Sequence, residues 1–461
     1  MQIILWNSYS SVHKPIRTLA SYQLASWLRG NNYTVKVIEF CHAMTTAELV
    51  AITEKYIDSE TIAIGASSTF WYPMVKEWIE WEPDWVLNAR EIIEQKFSNV
   101  SWLLGGWRAQ SSQLKRKWQL FHGFSEDSLL KWLDEKTVSK YSRKPFDIKS
   151  CTMAFAEDDY IRANEPLPLE TGRGCAFRCK FCGYLMNGKK PGTYIKEMEL
   201  IKHQLLVNYE RWGTTNYFYI DDTVNENPDK IRQLAEIAQS LPFQLKWVGF
   251  NRLDLIYTYP DLIYSLKDSG LVSSVFGVET FSRKDSLLIG KGWNGQHGKS
   301  FLQGLKKKWG QDINWHLSMI VGFPNEKKEV VIETVEWLIA NNMYSWSYLP
   351  LFIKKGGSML NPSEFEKHAE KYGFSFLDEK NPYEWTNSTW TFSQAVDSAK
   401  ELNALSNDHK DIAAWPVLEL EALGYDYKKM MSTKQSKLDL VELENKSSQF
   451  FSNYINFQLG L

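Results

Sequence analysis

The sequence predicts an α/β chain. It has an N-terminal parallel sheet flanked by helices, a longer series of β/α units forming a partial (β/α)6 barrel of the TIM type, and a mainly helical C-terminal region. Three observations carry this. Over the first 135 residues or so, short apolar runs alternate with segments of helical period at about 30 residues per unit, the length of a βαβ crossover. After a charged, irregular stretch the alternation resumes for six more strand candidates. From about Gly356 the chain turns charged and helical in pattern. A chain of 461 residues, 44% hydrophobic and 23% charged, has room for two to four domains and a sizeable core.

In chain order, the first strands are expected at Ile3–Trp6, Val35–Phe40, Ile62–Ala66, Ser101–Leu104 and Gln119–Phe121. Leu19, Leu24, Trp27 and Leu28 recur at helical spacing between the first two. Crossovers of this kind make a parallel sheet covered on both faces, with ligands beyond the carboxyl ends of its strands. Residues 136–164 read as a linker, centred on the charged run Lys136–Pro145. The second series has strands at Leu167–Thr171, Tyr217–Ile220, Gln244–Gly249, Ser274–Val278, Trp315–Val321 and Trp346–Phe352. Ile195–Arg211, Pro228–Ser240 and Lys327–Asn341 are helical in period. The expected division is 1–135, a linker, 165–355 and 356–461.

Composition removes several classes of function. With 53 basic and 55 acidic residues the net charge is −2, so no overall field draws the chain to nucleic acid or anionic lipid. No apolar run reaches the length of about 18 residues that a membrane span needs, and MQIILWNSYS lacks the pattern of a signal peptide. Five cysteines do not make a disulfide scaffold. A reducing, cytoplasmic location is the expectation. The 20 tryptophans read as packing residues, or as a few platforms for a flat cofactor or aromatic substrate.

The decisive segment is TGRGCAFRCKFCGY, residues 171–184, where Cys175, Cys179 and Cys182 follow a strand with the spacing C-x3-C-x2-C. Three thiolates on one loop do not complete a four-ligand structural site without a distant partner, for which Cys41 and Cys151 are candidates. They suit a [4Fe-4S] cluster with one open iron. A zinc loop and three structural thiols are the alternatives. Gly172, Gly174 and Gly183 let the backbone wrap closely.

On these residues the sequence resembles the radical S-adenosylmethionine (radical SAM) superfamily over roughly residues 165–352. The resemblance implies that Cys175, Cys179 and Cys182 hold the cluster, and that its open iron binds the amino and carboxylate groups of SAM. Reductive cleavage of SAM to a 5′-deoxyadenosyl radical would follow, fed by a donor such as flavodoxin or ferredoxin. Phe181 would pack near the adenine, and the backbone of Tyr184 would meet the adenine edge. In FYIDDT, Asp221 or Asp222 would accept from the SAM ammonium, or else cap a helix. Arg252 in GFNRLD would meet the SAM carboxylate, or form a surface ion pair. Glu279 in FGVET would accept from ribose hydroxyls. Gly322 in SMIVGFPNE would present backbone to the adenine, with Pro324 shaping the turn and Glu326 capping the next helix.

A five-stranded α/β domain directly before such a barrel is similar to the arrangement in cobalamin-dependent members, whose first domain is Rossmann-like. The residues that carry this are IGASSTF, LLGGW and HGFSE. The resemblance assigns Ser67, Ser68, Thr69, Gly105, Gly106 and Glu126 to the cobalamin tail, and Trp71 or Tyr72 to its lower face. The D-x-H-x-x-G motif that supplies a cobalt-ligating histidine is absent; NSYSSVHKP, containing His13, stands there instead. The reading that follows is a C-methyltransferase that uses two SAM molecules and methylates an unactivated carbon of a small molecule or peptide. A radical SAM enzyme of another reaction type and a non-enzymatic cluster protein are the alternatives. His316 and Tyr348 read as core residues or as substrate-facing ones. Trp385–Trp390 resembles a segment that closes the barrel, and Lys306–Lys308 reads as a solvated helix face.

Overall fold

The computed structural model describes residues 1–8, 15–68, 83–106, 116–137, 144–292, 295–343, 345–356, 361–377, 381–405, 414–426, 429–430 and 438–461. These form two compact units. The first holds residues 1–168, 199–214 and 439–461, and the second holds 169–198 and 215–438.

In the first unit, β1 (Gln2–Trp6), β2 (Thr34–Ile38), β3 (Thr61–Ser67), β4 (Ser101–Gly105) and β5 (Gln119–Phe121) make a parallel sheet in the order β2-β1-β3-β4-β5. The helices between them are α1 (Leu19–Arg29), α2 (Thr46–Tyr56), α3 (Asp84–Lys96) and α4 (Glu126–Thr137). Ile3, Ile4, Leu5 and Trp6 are all buried, the unbroken apolar run of a strand covered on both faces. Thr45 and Glu48 form a reciprocal capping box at the start of α2. The strand order reverses between β1 and β3, which opens a crevice at their carboxyl ends.

Two features of this unit depart from the expected division. Residues 144–164, expected within a linker, are packed: Ile148, Met153 and Phe155 are buried. Arg17, with no side-chain exposure, donates to Glu165 Oε1 at 2.6 Å and to the carbonyls of Asp159 (3.0 Å) and Tyr160 (2.6 Å). A buried guanidinium needs its donors filled, and this segment fills them. The second departure is the helix α15 (Leu440–Leu459, numbered after the helices given below), expected in a C-terminal domain but part of the first unit. Tyr454 accepts from the backbone N–H of Glu39 at 2.8 Å, and Phe450 and Phe451 pack edge-on against Phe40. The Glu39 carboxyl is pushed up to about 7 by burial, against the opposing pull of Arg17.

In the second sheet, β6 (Leu167–Leu169), β7 (Asn216–Tyr219), β8 (Lys246–Asn251), β9 (Leu271–Glu279), β10 (Asn314–Val321) and β11 (Trp346–Pro350) follow one another in sequence order. The pairings from β7 to β11 are parallel. The intervening helices are α6 (Pro228–Ser240), α7 (Leu253–Thr258), α8 (Leu262–Asp268), α9 (Arg283–Ile289), α10 (Gly295–Trp309) and α11 (Lys328–Ala340). The helix α5 (Met198–Trp212) groups with the first unit. After β11 come α12 (Glu364–Lys367), the antiparallel pair β12 (Ser375–Phe376) and β13 (Trp385–Thr386), α13 (Phe392–Ala404) and α14 (Ala414–Ala422). This is the partial barrel with its helical C-terminal part.

The sheet has two unlike faces. Along β10 every second residue is buried, and Trp315 packs against Trp309 of α10 at 5.7 Å. The other face holds Lys246, Val248 and Phe250 on β8. There Glu421 of α14 pairs with Lys246 at 3.6 Å, so α14 covers this face near the start of the strands. Strand ends differ from expectation where side chains intervene. The strand β6 stops at Leu169 because Thr171 turns its N–H to Asp221. The strand β9 begins three residues early; its buried Ser274 accepts from Asn251 at 3.0 Å, while the Ser273 hydroxyl has no partner among the described residues.

Candidate active site

The loop after β6 closes on itself through backbone bonds. The N–H of Cys175 donates to Met186 O (3.2 Å), that of Gly188 to Cys175 O (2.8 Å), and that of Cys182 to Cys179 O (3.0 Å). Gly174 has φ +77, and a Cβ there would lie 2.5 Å from that of Met186, so only glycine fits this turn. Lys189 and Glu226, both buried, pair at 2.5 Å, and Glu226 also accepts from the N–H of Ala176 at 2.9 Å. This clamps the loop to the segment after β7.

Cys175, Cys179 and Cys182 are half-buried on this loop, and each is electrostatically coupled to the others. Burial raises the thiol of Cys175 and pushes that of Cys182 up to about 11. Among the described residues no three His, Cys, Asp or Glu side chains converge on a single ion. Three thiolates on one loop, with no fourth protein ligand beside them among the described residues, are the donor set of an iron–sulfur cube that keeps one iron open. Cys41 and Cys151, the candidate distant ligands, are buried in the first unit. Cys41 donates to Ile38 O at 3.2 Å, and Cys151 accepts from Gln23 at 2.8 Å.

The strand ends bring several expected residues to this loop. Arg252 donates from Nη1 to Cys179 Sγ at 3.3 Å and lies over the Phe177 ring at 3.8 Å. Asp254 holds the guanidinium through two bonds at 3.0 and 2.5 Å. Burial alone would lower the pKa of Arg252, but these bonds outweigh it and raise it. The surface ion pair weighed for this residue is corrected: the pair is with Asp254, and Arg252 is buried. Phe181 faces Phe323, 6.2 Å between ring centres. The Tyr184 carbonyl accepts from Asn361 Nδ2, so one of its lone pairs is engaged.

The two aspartates differ. Asp221 is buried and filled: it accepts from Thr171 N–H (2.7 Å) and Oγ1 (2.6 Å) and pairs with the buried Lys230. It is a structural anchor between β6, β7 and α6. Asp222 is pushed up to about 6, by burial first and the charge of Asp221 second, while the Gly174 N–H opposes. Neither caps α6; Asn227 does.

Farther along the rim, Glu279 has φ +67, a strained value for a non-glycine residue, and pairs with Lys291 at 3.2 Å. Gly322 has φ +116, and a Cβ there would lie 2.8 Å from the Trp385 ring. Its carbonyl accepts from Asn387 at 2.9 Å. Ser388 and Thr389 donate to Pro324 O at 2.7 and 2.8 Å, and Trp390 donates to Glu326 O at 2.7 Å. The segment Trp385–Trp390 thus clamps the turn after β10.

Glu326 does not cap the next helix, contrary to expectation. Lys327 occupies the cap of α11 without a side-chain bond. Glu326 is buried and accepts from the Thr280 hydroxyl, while its Oε2 has no partner among the described residues. Burial pushes its carboxyl up to about 8. Glu39 and Glu326 therefore keep protons that the unfolded chain gives up above about 4.5. The folded state then binds more protons than the unfolded one, and stability falls as pH rises from about 5 to 8. The urea midpoint is expected to be lower at pH 8.5 than at pH 5.5. Glu326→Gln should flatten the difference.

In the first unit, the assigned residues stand at the carboxyl ends of β3 and β4. Ser67 ends β3, and Ser68 donates from both N–H and Oγ to Gly105 O at 2.8 Å. Gly106 has φ +107, and Glu126 is the first residue of α4. Thr69, Trp71, Tyr72 and His13 lie outside the described residues. The sequence reading missed Thr223, whose hydroxyl is 3.4 Å from Cys175 Sγ, together with Phe177, Asp254 and Lys291. Thr223 was within reach, since it completes the DDT run. Lys291 carries no local signal.

Residues 169–338 match the Radical SAM superfamily. No curated protein matches the chain. The solved structure of the cobalamin-dependent S-adenosylmethionine radical enzyme OxsB, with aqua-cobalamin and S-adenosylmethionine bound, is 15% identical with a TM-score of 0.62. It covers 99% of this chain and 79% of its own. The radical S-adenosylmethionine methyltransferase TsrM from Kitasatospora setae, with tryptophan substrate and a SAM analog bound, is 14% identical with a TM-score of 0.66. It covers 94% of this chain and 98% of its own. A second TsrM structure, with cobalamin and [4Fe-4S] cluster bound, is 13% identical with a TM-score of 0.60, covering 95% and 99% of the two chains. At these identities the likeness is one of fold, and it extends through both units. The C-x3-C-x2-C loop at the head of the parallel partial barrel lies within the match over 169–338, so this segment of the chain carries a Radical SAM superfamily domain.

Proposed function

We propose that the chain is a cobalamin-dependent radical SAM methyltransferase acting on an unactivated carbon. The observation that carries this reading is the occurrence in one chain of two parallel sheets with prepared strand ends. One presents three cysteines, and the other presents Ser67, Ser68, Gly105 and Gly106 beside a topological switch point. Bound together, the cluster, SAM and cobalamin supply one-electron cleavage of a sulfonium and a transferable methyl group.

The chain's own residues place and shield these groups. Cys175, Cys179 and Cys182 would hold three irons. Arg252, fixed by Asp254 beside Cys179, keeps a positive charge where the SAM carboxylate would lie. Asp222 is the better acceptor for the SAM ammonium, because Asp221 is committed to Lys230 and Thr171. Phe181, the Tyr184 backbone and Gly322 would flank the adenine, and Glu279 the ribose. Ser67, Ser68, Thr69, Gly105, Gly106 and Glu126 would meet the cobalamin tail, with Trp71 or Tyr72 beneath the ring. A flavodoxin- or ferredoxin-type donor would supply electrons. No described helix is long and apolar enough to cross a membrane.

The test is the cofactor content and spectrum of protein prepared without oxygen. About four irons per chain and a bound corrinoid are expected. Iron without corrinoid, even after cobalamin is supplied, would remove the methyltransferase reading. Absence of 5′-deoxyadenosine on adding SAM and a reductant would remove the radical chemistry. Gly106→Val, at a φ that disfavours any side chain, is expected to lower corrinoid content while iron content holds.

A further inference from the structure

Resting on that reading, we infer that the substrate is a neutral, largely apolar small molecule with one hydrogen-bonding group, read by His316, Ser318 and Ser347. The argument begins with the register of the second sheet. Paired residues of parallel strands share a face. Phe250 pairs with Val275 and Val275 with His316. Ser318 pairs with Ser347, and Ile320 with Leu349. All of these share the face of Lys246 and Val248, whose lower part α14 covers.

Among the described residues, the upper part of that face keeps large apolar side chains in partial contact with solvent. Phe250 and Leu349 are each 41% exposed, and Ile220, following β7, is 40% exposed. His316, Ser318, Ile320 and Ser347 are half-buried between them. Large apolar side chains partly exposed at the carboxyl ends of barrel strands, on the strand whose next residues lead to Arg252 and its contact with Cys179, are what an apolar ligand would cover. From β8 to β10 is two strand spacings, about 10 Å, so a molecule of one or two rings spans from Phe250 to His316.

The polar edge is built from hydroxyls and an imidazole. His316 Nδ1 lies 3.2 Å from Ser345 Oγ, and Nε2 lies 2.8 Å from Ser347 Oγ. One ring nitrogen can donate and the other accept, so the serine orientations choose the tautomer. Ser347 keeps hydrogen-bonding capacity beyond its bond to the ring, and Ser318 stands next to it in register. Such a group suits an O–H, N–H or C=O on the substrate. Among the charges that follow these strands, Glu279 pairs with Lys291 and Asp221 with Lys230, and Arg252, held by Asp254, is assigned above to the SAM carboxylate, which leaves no cation here for a second anion. Asp222 adds a carboxyl. A phosphate or carboxylate would enter here without compensation for its lost hydration.

The probes are 2-naphthol, neutral with one hydroxyl, and its charged counterpart 2-naphthyl phosphate. Each is titrated by fluorescence into the full cluster-loaded chain with SAM present. Saturable binding of 2-naphthol is expected, with no displacement by the phosphate ester. Leu349→Asp and Phe250→Asp should weaken it at least about tenfold, the cost of a charge in an apolar contact, and Ser347→Ala by a few fold. Leu349→Asp and Phe250→Asp lie on different strands at equally exposed positions, so either reports if the other does not fold. Equal or tighter binding of the phosphate ester, no saturable 2-naphthol binding, or unchanged binding in Leu349→Asp would overturn the inference. SAM cleavage measured in the same samples separates the two readings. Its absence counts against the enzyme class, and its presence without 2-naphthol binding counts against this substrate class alone.

Discussion

Replacing Cys179 by alanine is expected to reduce SAM cleavage to the level of cluster-free protein while leaving the fold intact. Cys179 is half-buried, and its contact in the chain is with Arg252, which Asp254 continues to hold. Loss of the sulfur should therefore cost less than about 1 kcal/mol of stability, as for most substitutions outside a packed core. Iron content should fall and the cluster's visible absorption should disappear. Cys175→Ala and Cys182→Ala should do the same. Cys41→Ala and Cys151→Ala should leave iron unchanged, because both thiols are engaged in the first unit. Full SAM cleavage in Cys179→Ala would refute the ligand assignment.

Asp221→Ala carries the largest expected loss of stability. Lys230 would be left buried with no carboxylate, and the Thr171 N–H and hydroxyl would lose their acceptor. Breaking one side of a buried ion pair costs about 3–5 kcal/mol. Lys230→Ala should cost a similar amount, because Asp221 is then the stranded charge. Removing both groups together, as Asp221→Ala with Lys230→Ala, should cost less than the sum of the singles. Urea unfolding of the four proteins measures this coupling. An additive result would show that the two side chains do not act as a pair.

The fold was legible wherever apolar runs and helical periods alternate without interruption. The strand Gln119–Phe121 and the helix Pro228–Ser240 fall where the pattern placed them. Strand ends were less so, because a single side chain can end a ladder, as Asp221 does at Thr171. The cysteine loop was legible because its chemistry lies within eight consecutive residues. The Arg252 and Asp254 pair was half legible, since GFNRLD contains both residues but not the bond between them. Glu326 misled because an acidic residue just before a helix usually caps it. Here a hydroxyl forty-six positions away claims it instead. Pairings such as Glu279 with Lys291, and the docking of Tyr454 on Glu39, depend on distances along the chain that no local pattern encodes.

That docking bears on the order in which the protein is made. The helix Leu440–Leu459 leaves the ribosome after every residue of the second unit, yet it belongs to the first. Until then Glu39 has no phenol to receive its N–H, and Phe40 lacks three of its aromatic neighbours. The sheet that is translated earliest is thus completed last, and the barrel has the opportunity to finish before it.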